Sequence, residues 1–543
     1  MPSPPSAPRR TFLFYEPSTD RPLPLWMLFP IFFVAVYLAH GSLLRLPYYW
    51  DEAGYYIPAA YDFFRTGSLI PHSTLTNAHP PLPTVLLAEW WRFAGFVPSA
   101  TRTLMCIVSS LALLGVYQLA RLLTNTQVAI ATTFLTALYP VWFAQSTLAH
   151  ADMFAAAATI WALAAYFRSL GDTAAGQTTY GPLIQAAVLF SVAALAKETA
   201  IVNAVALAAW EVLRVLRKKV PARTGVLRAL LLCAAAIPLV AWYAYHKHET
   251  GFVFGNPEYL RYNATSTLTP LRVLLAFGHR VFHATAHMNM FVPTICMVAA
   301  MFLPPRIESD IDAVAVARPA ARHRPLILLI ILVNLVLFSL LGGALLTRYL
   351  LPVYPLVLLA AVATWWRRVP QWGWLVAFSA VAFFLGLVVN PPYRFAPEDN
   401  LAYRDMIVLH QHAAARLLKT SPTATVLTAW PGSDELSKPW LGYIKTPWRV
   451  VTVDNFTREI LTAPANSSGA ANLAFIFSTK YAPAALPFRL GQQNEKWERG
   501  YFGFHEDVGP TDAAALLGGR VIWYEERKGQ WAALLAFQSS DLH

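Results

Sequence analysis

Residues 325–346 read PLILLIILVNLVLFSLLGGALL, 22 consecutive positions without a charged side chain. A helix needs about 20 mostly apolar residues to cross the hydrocarbon core of a bilayer, so this stretch is expected to span a membrane. Ten others read the same way: 24–44, 101–122, 126–145, 151–170, 183–197, 198–216, 225–245, 286–304, 349–366 and 372–390. The fifth and sixth in chain order are short and nearly contiguous, so the total of eleven carries a margin of one or two. The first run is too long for a signal-peptide core and lacks a small-residue cleavage site, so it reads as a retained helix.

Composition agrees. Hydrophobic residues make up 56% of the 543 and charged residues 13%, where soluble domains average about 25% charged. That excludes a water-soluble multidomain enzyme, and it excludes a disordered chain. Cys106, Cys233 and Cys296 lie inside apolar runs with no CxxC or Cys/His spacing, so neither a disulfide framework nor a structural zinc is expected.

Charge divides the chain near residue 390. Residues 1–390 hold 27 Lys and Arg against 15 Asp and Glu, whereas 391–543 hold 15 of each. The excess belongs to the membrane part, where it reads as topology and not as nucleic-acid binding. With residues 1–23 cytoplasmic, the inner loops gather three basic clusters: Arg214 to Arg228, Arg306 to Arg324, and Arg367 with Arg368. Two long loops, 45–100 and 246–285, then face the other side, as does the tail 391–543. Chemistry is expected on that outer face. There is no internal repeat and no Gly-rich phosphate loop.

The first outer loop carries Tyr48-Tyr49-Trp50-Asp51-Glu52 ahead of a helical stripe of Ala53, Ile57, Tyr61 and Phe64. An acid at that position serves as a helix cap or as a catalytic carboxylate. Asn77-Ala78-His79-Pro80-Pro81 follows, where His79 is a surface histidine or a ligand. Asp152 opens the fourth span, as a cap or as a second site carboxylate. Lys197-Glu198 interrupts an apolar run, where ionisable groups are costly unless paired or facing a polar cavity. Arg348 and Tyr349 sit between the ninth and tenth spans, and His283 and His287 flank another outer entrance.

Asp51, His79, Asp152, Lys197 and Arg348 therefore come from five outer-edge positions. Carboxylates beside cations suit a substrate with a phosphate and a hydroxyl nucleophile: the cations hold the phosphate as it leaves, and a carboxylate takes the hydroxyl proton. The lipid-facing helices carry no clear mid-membrane acid, which argues against a proton- or ion-coupled transporter.

The Asp51-Glu52 pair after the first span, His79-Pro80-Pro81-Leu82, Leu195-Ala196-Lys197-Glu198 and Arg348-Tyr349-Leu350-Leu351-Pro352 occur in an order that resembles the polyprenyl-phosphate-sugar-dependent membrane glycosyltransferases. That group of GT-C fold enzymes takes in protein O-mannosyltransferases, lipid A aminoarabinose transferases and rhizobial lipopolysaccharide galacturonosyltransferase-like proteins. The resemblance covers residues 24–390. It implies Asp51 as general base with Glu52 in support, Asp152 as an acceptor or metal contact, and His79, Lys197, Arg348 and Tyr349 at the donor phosphate. The aminoarabinose transferases usually show Glu-Lys where this chain has Ala78-His79, which puts in doubt any divalent metal, for which Asp152, His79 and His287 are the candidates. The late insertion of the O-mannosyltransferases is missing, which disfavours that activity.

The tail reads as a small α/β layer, with a helix at 399–418 and strands at 424–429, 449–453, 473–478 and 520–524. Trp430, Trp440 and Trp448, near Asp434 and Glu435, serve as sugar platforms or as core and interface anchors. The whole is expected to be a multi-pass α-helical protein of the plasma (inner) membrane with a C-terminal domain on the outer, periplasmic side. It would move a sugar from a polyprenyl-phosphate carrier to a glycolipid, polysaccharide or protein acceptor in cell-envelope glycosylation, with inversion. Two other readings stay open to the sequence: a transporter or flippase of lipid-linked glycans, and a glycan polymerase or ligase of the same broad architecture that takes a diphosphate-linked oligosaccharide.

Overall fold

The structure of the chain, a computed structural model, describes residues 24–174, 180–306, 323–463, 471–481, 483 and 490–537. The expected cytoplasmic segment 1–23 and the basic residues Arg318 and Arg322 lie outside the described residues.

All eleven apolar stretches carry helix. Among the described residues, Pro98–Leu123, Ala151–Leu170, Glu198–Leu216 and Ala222–Thr250 are long and apolar enough to cross a membrane alone. Leu25–Ala39, Thr126–Leu138, Gly181–Ala196, Arg324–Leu340 and Trp372–Val388 are shorter apolar helices, and Tyr354–Arg368 accounts for the tenth stretch. Apolar side chains remain exposed along these helices, including Leu328, Leu332 and Val336 on one of them and Phe378, Val381 and Phe384 on another. Exposed apolar bands of that kind suit a lipid surround. The chain is thus mostly helical with several apolar helices, the make-up of a multi-pass membrane protein.

The second long loop, 246–285, is largely helical. Pro257–Asn263 and Pro270–Thr285 are helices, and the second is bent by 100° against Phe291–Met301 across a break. Met288 adopts φ 47° at that break. Hydropathy missed Pro270–Thr285 because Arg272, Arg280 and His283 punctuate it, yet those same residues face inward and are buried.

In the first outer loop the expected stripe forms. Helix Ile57–Thr66 has Pro58 in its first turn and ends at Gly67 in the left-handed conformation. Ala53 and Ile57 are buried, and Tyr61 and Phe64 pack against the same core. One wide π turn, Glu52–Tyr56, precedes it and begins directly after Asp51. Such insertions recur at functional sites because they re-aim side chains.

The tail builds a five-stranded sheet from β1 (Thr425–Ala429), β2 (Arg449–Val453), β3 (Leu473–Phe477), β4 (Gly519–Arg527) and β5 (Gln530–Phe537), in the order β2-β1-β3-β5-β4. β1 is parallel to β2 and β3, and β5 runs antiparallel to β3 and β4. β5 has no clean alternation to reveal it, being buried along most of its length. Helix Ala402–Thr420 covers the sheet. The sheet's apolar core takes in Leu43, Tyr49, Ala144 and Leu148 from the membrane part. The tail is therefore packed onto one end of the helices.

The three tryptophans make this junction. Trp430 meets Trp50 edge-on at 5.0 Å, and its ring lies against Gly54, where a Cβ would fall 2.7 Å from Cζ2. Trp440 stacks on Tyr61 at 5.3 Å, and Trp448 is buried in the sheet's core. Asp434 pairs with Lys438 and Glu435 with His410. All five residues are engaged in packing or pairing within the protein, and none lines the cavity described next.

Candidate active site

A cavity of about 1280 Å³ opens between the first outer loop, helix Pro270–Thr285, the turn after helix Arg324–Leu340 and the near edge of the tail. Phe254, Phe282, Phe338, Leu341 and Leu345 supply apolar wall, and Asp51, His79, Lys197, Arg348 and Tyr349 supply the polar part. Five residues named from sequence thus line one space.

Arg348 is the centre of the polar part. It lies in the short turn Thr347–Leu350, which follows a non-helical break and precedes helix Tyr354–Arg368. Its guanidinium donates to Asp51 from Nη2 and to Glu398 from Nη1, and its Nε lies 3.2 Å from Asp152 Oδ2. Burial opposes the charge, but Glu398, Asp51 and Asp152 outweigh it and hold Arg348 well above the usual guanidinium range. Lys197 donates from Nζ to Asp152 Oδ1 at 2.5 Å and lies 3.8 Å from the Tyr349 ring centre. Cation–π contact of that kind is worth more in a desolvated setting.

These contacts decide two readings left open by the sequence. Asp51 makes no side-chain capping bond to the turn it precedes, and both oxygens of Asp152 face cations of the site. Both carboxylates belong to one ion-pair network. The Lys197–Glu198 pair does not form, because Lys197 turns to Asp152 while Glu198 turns to His79.

Exposure separates the carboxylates. Asp51 keeps 35% of its side chain exposed, against 3% for Asp152 and 4% for Glu398. Glu52 departs from expectation altogether. It is fully buried, pairs with buried Arg102 and accepts backbone N–H groups of Tyr49 and Ala149. It does not line the cavity. The pairing of Asp51-Glu52 in sequence splits in space, because the turn aims one residue at the cavity and the next into the core. Glu52 is a strut under the loop, and its place in a catalytic pair is withdrawn.

Two further clusters flank the centre. His79 pairs with Glu198 at 3.1 Å, and its Nε2 lies 3.3 Å from the Tyr259 hydroxyl. His287 pairs with Asp399 at 2.9 Å, and Thr347 donates to the same carboxylate. The metal candidates Asp152, His79 and His287 are thus held in three different pairs. Among the described residues no group of three or more His, Cys, Asp or Glu side chains is placed to hold a metal ion. The three do not fit a metal centre; Arg348 and Lys197, with Arg394 and Lys480 from the tail, supply cationic groups to the cavity.

Glu398 and Asp399 were missed in sequence. They lie in a short turn, Pro397–Asp399, ten residues beyond the last apolar helix. The signal was present: a second adjacent acid pair just outside a span, the same pattern that singled out Asp51 and Glu52. Burial, with Asp51, Asp399 and Asp152 adding to it against the opposing charge of Arg348, pushes the Glu398 carboxyl up to about 8.

Comparison with known proteins bears on this geometry. Residues 78–242 match the family model of dolichyl-phosphate-mannose-protein mannosyltransferase. The segment holds His79, Asp152 and Lys197. The chain is similar in structure to ArnT from Cupriavidus metallidurans bound to undecaprenyl phosphate, at a TM-score of 0.54 and 15% identity over 95% of this chain and 98% of that one. ArnT from the same organism in the apo state matches at 0.52 and 14% identity, over 94% and 98%. No curated protein matches the chain in sequence. The GT-C fold was expected of residues 24–390, and the likeness to these structures extends over the tail as well.

Proposed function

We propose that the chain is a membrane glycosyltransferase that moves a sugar from a polyprenyl-phosphate carrier to an acceptor hydroxyl. One observation carries the reading: Asp51, 35% exposed, stands on the wall of a cavity that has an apolar side and a cationic end, and buried Arg348 holds it in place. Asp51 takes the proton of the acceptor hydroxyl as that oxygen attacks the anomeric carbon, and the phosphate departs on the opposite side with inversion. Lys197, Arg348, His79 and the Tyr349 ring form the phosphate end, where fixed cations stabilise the leaving charge. The apolar wall takes the first isoprene units of the carrier. The family match over 78–242 and the fold shared with a protein that binds undecaprenyl phosphate support the same donor class.

We take the basic clusters on the opposite loops as support for a site and tail on the outer face of the plasma membrane, with residues 1–23 cytoplasmic. We take 24–390 as the transferase core with 391–543 as the outer domain, and glycolipid, polysaccharide or protein as the acceptor class.

The test uses purified protein in nanodiscs with radiolabelled undecaprenyl-phosphate sugars and a cell-envelope extract as acceptor, following release of undecaprenyl phosphate. Turnover by the natural protein, with donor bound but not consumed by Asp51→Asn, is the expected result. Donor binding without turnover for every sugar would instead mark a carrier of lipid-linked glycans.

A further inference from the structure

With every carboxyl ionised, the Arg348 cluster would hold more negative than positive charge before any donor arrives. Asp51, Asp152 and Glu398 face Arg348, and Lys197 joins through Asp152, which sets three carboxyls against two cations. A lipid phosphodiester brings one more negative charge, and its cleavage to a monoester brings another. Like charges this close disfavour one another's ionised form, most strongly where the group is buried. One carboxyl must carry a proton if a phosphate is to sit among them.

Geometry selects which. Asp152 faces Lys197 and Arg348 together. Asp51 is open to the cavity. Glu398 is buried, pairs with a single cation among the described residues, and has Asp51, Asp152, Asp399 and the Tyr49 phenol around it. Asp399, hydrogen-bonded to His287 and Thr347, adds a further carboxyl beside Glu398 and no cation. Glu398 nonetheless lines the cavity, and burial among acids favours its neutral form.

We propose that Glu398 is the general acid of the transfer, a neutral carboxyl that gives its proton to the departing lipid phosphate. The inference rests on the glycosyltransferase reading and adds a second catalytic residue to it. Glu398 and Asp51 accept from the two terminal nitrogens of one guanidinium. They are therefore spaced along the cavity wall by that planar fork. An inverting displacement places the attacking and leaving oxygens on opposite sides of the anomeric carbon, so a sugar lying along the wall meets Asp51 with one oxygen and Glu398 with the other. A carboxyl ionised and a carboxyl neutral in one site divide naturally into base and acid.

The step balances. The acceptor oxygen forms a bond to the anomeric carbon while its proton passes to Asp51. The bond from that carbon to the phosphate oxygen breaks, its electron pair stays on the oxygen, and the Glu398 proton joins it there. The lipid phosphate leaves as a monoanion, Asp51 is neutral and Glu398 is ionised. Return of the proton from Asp51 to Glu398 restores the site with no net exchange.

The experiment follows kcat from pH 6 to 9.5 in nanodiscs, with the undecaprenyl-phosphate sugar and envelope extract that the natural protein turns over. An acid must be protonated to act, so kcat falls as pH rises through about 8. Glu398→Gln keeps an acceptor for Arg348 but has no proton to give. It is expected to lose the alkaline fall, lower kcat about 10²-fold, as removal of a positioned acid does, and bind free undecaprenyl phosphate as before. A flat wild-type kcat from pH 7 to 9.5 overturns the proposal whether or not the variant folds. So does a variant that retains wild-type kcat, or one that retains the alkaline fall. Loss of undecaprenyl phosphate binding would make Glu398 a donor-holding residue and overturn its role as acid. A natural protein with no turnover on any donor sinks the transferase reading itself, which is a different result.

Discussion

Arg348, 3% exposed, grips Asp51, 35% exposed, so the carboxylate that meets the cavity is aimed by a group the cavity scarcely reaches. Arg348→Lys keeps the charge but replaces a planar three-point donor with a point charge that cannot hold Asp51, Asp152 and Glu398 together. Turnover should fall at least about 10²-fold, close to the loss in Asp51→Asn, because a misplaced base is nearly as poor as an absent one. Steady-state release of undecaprenyl phosphate by the two variants side by side checks this. A lysine variant with wild-type kcat would remove Arg348 from the aiming of the base.

Lys197 bears on binding more than on chemistry. Lys197→Met leaves Asp152 with Arg348 alone and, on the proposed function, removes a cation from the phosphate end. Affinity for undecaprenyl phosphate should drop about tenfold or more, in line with about 1.5–3 kcal/mol for a hydrogen bond to a charged group. Titration of labelled lipid in nanodiscs gives the number, and an unchanged affinity would place the phosphate elsewhere.

Glu52 should behave as a structural residue. Glu52→Gln leaves Arg102 charged and buried without its counter-ion, a loss that costs about 3–5 kcal/mol when a buried pair is broken. The expected outcome is a marked drop in thermal midpoint in detergent, with near-normal kcat per folded molecule. Activity lost at unchanged stability would return Glu52 to the catalytic group.

Gly54 tests the junction between tail and loop. Its missing side chain makes room for the Trp430 ring, and an added Cβ would stand 2.7 Å from it. Gly54→Ala should destabilise by about 1–3 kcal/mol, the usual range for overpacking, and should lower turnover because Asp51 lies three residues away. Pairing it with Trp430→Phe, which shortens the ring, should recover part of both. Thermal unfolding and turnover of the single and double variants measure the coupling.

Much of this was legible in the sequence because the determining forces are local. Apolar runs such as 325–346 announce helices through hydropathy alone, and Ala53, Ile57, Tyr61 and Phe64 announce theirs through period. Charged residues stranded at span ends, such as Lys197 and Arg348, must find partners, so their convergence could be anticipated. Who pairs with whom could not. Lys197 sits next to Glu198 in sequence but turns to Asp152, 45 positions away, because helix geometry and not chain adjacency sets the distances. Helix Pro270–Thr285 escaped because its inward arginines and histidines dilute the hydropathy average. Glu398 and Asp399 escaped because their stretch looked like the start of a separate domain, and only packing shows that it closes the cavity.

That last placement has a consequence for biogenesis. The site is complete only when the stretch after the final membrane helix has folded back beneath the sheet. A nascent chain with every helix inserted but its tail unfinished would present Arg348 to Asp51 and Asp152 alone. It would hold its lipid-facing wall but lack Glu398 and Asp399. The polar centre therefore draws on both sides of the division near residue 390, and losing the stretch after the last apolar helix would strip Arg348 of one of its three acid partners.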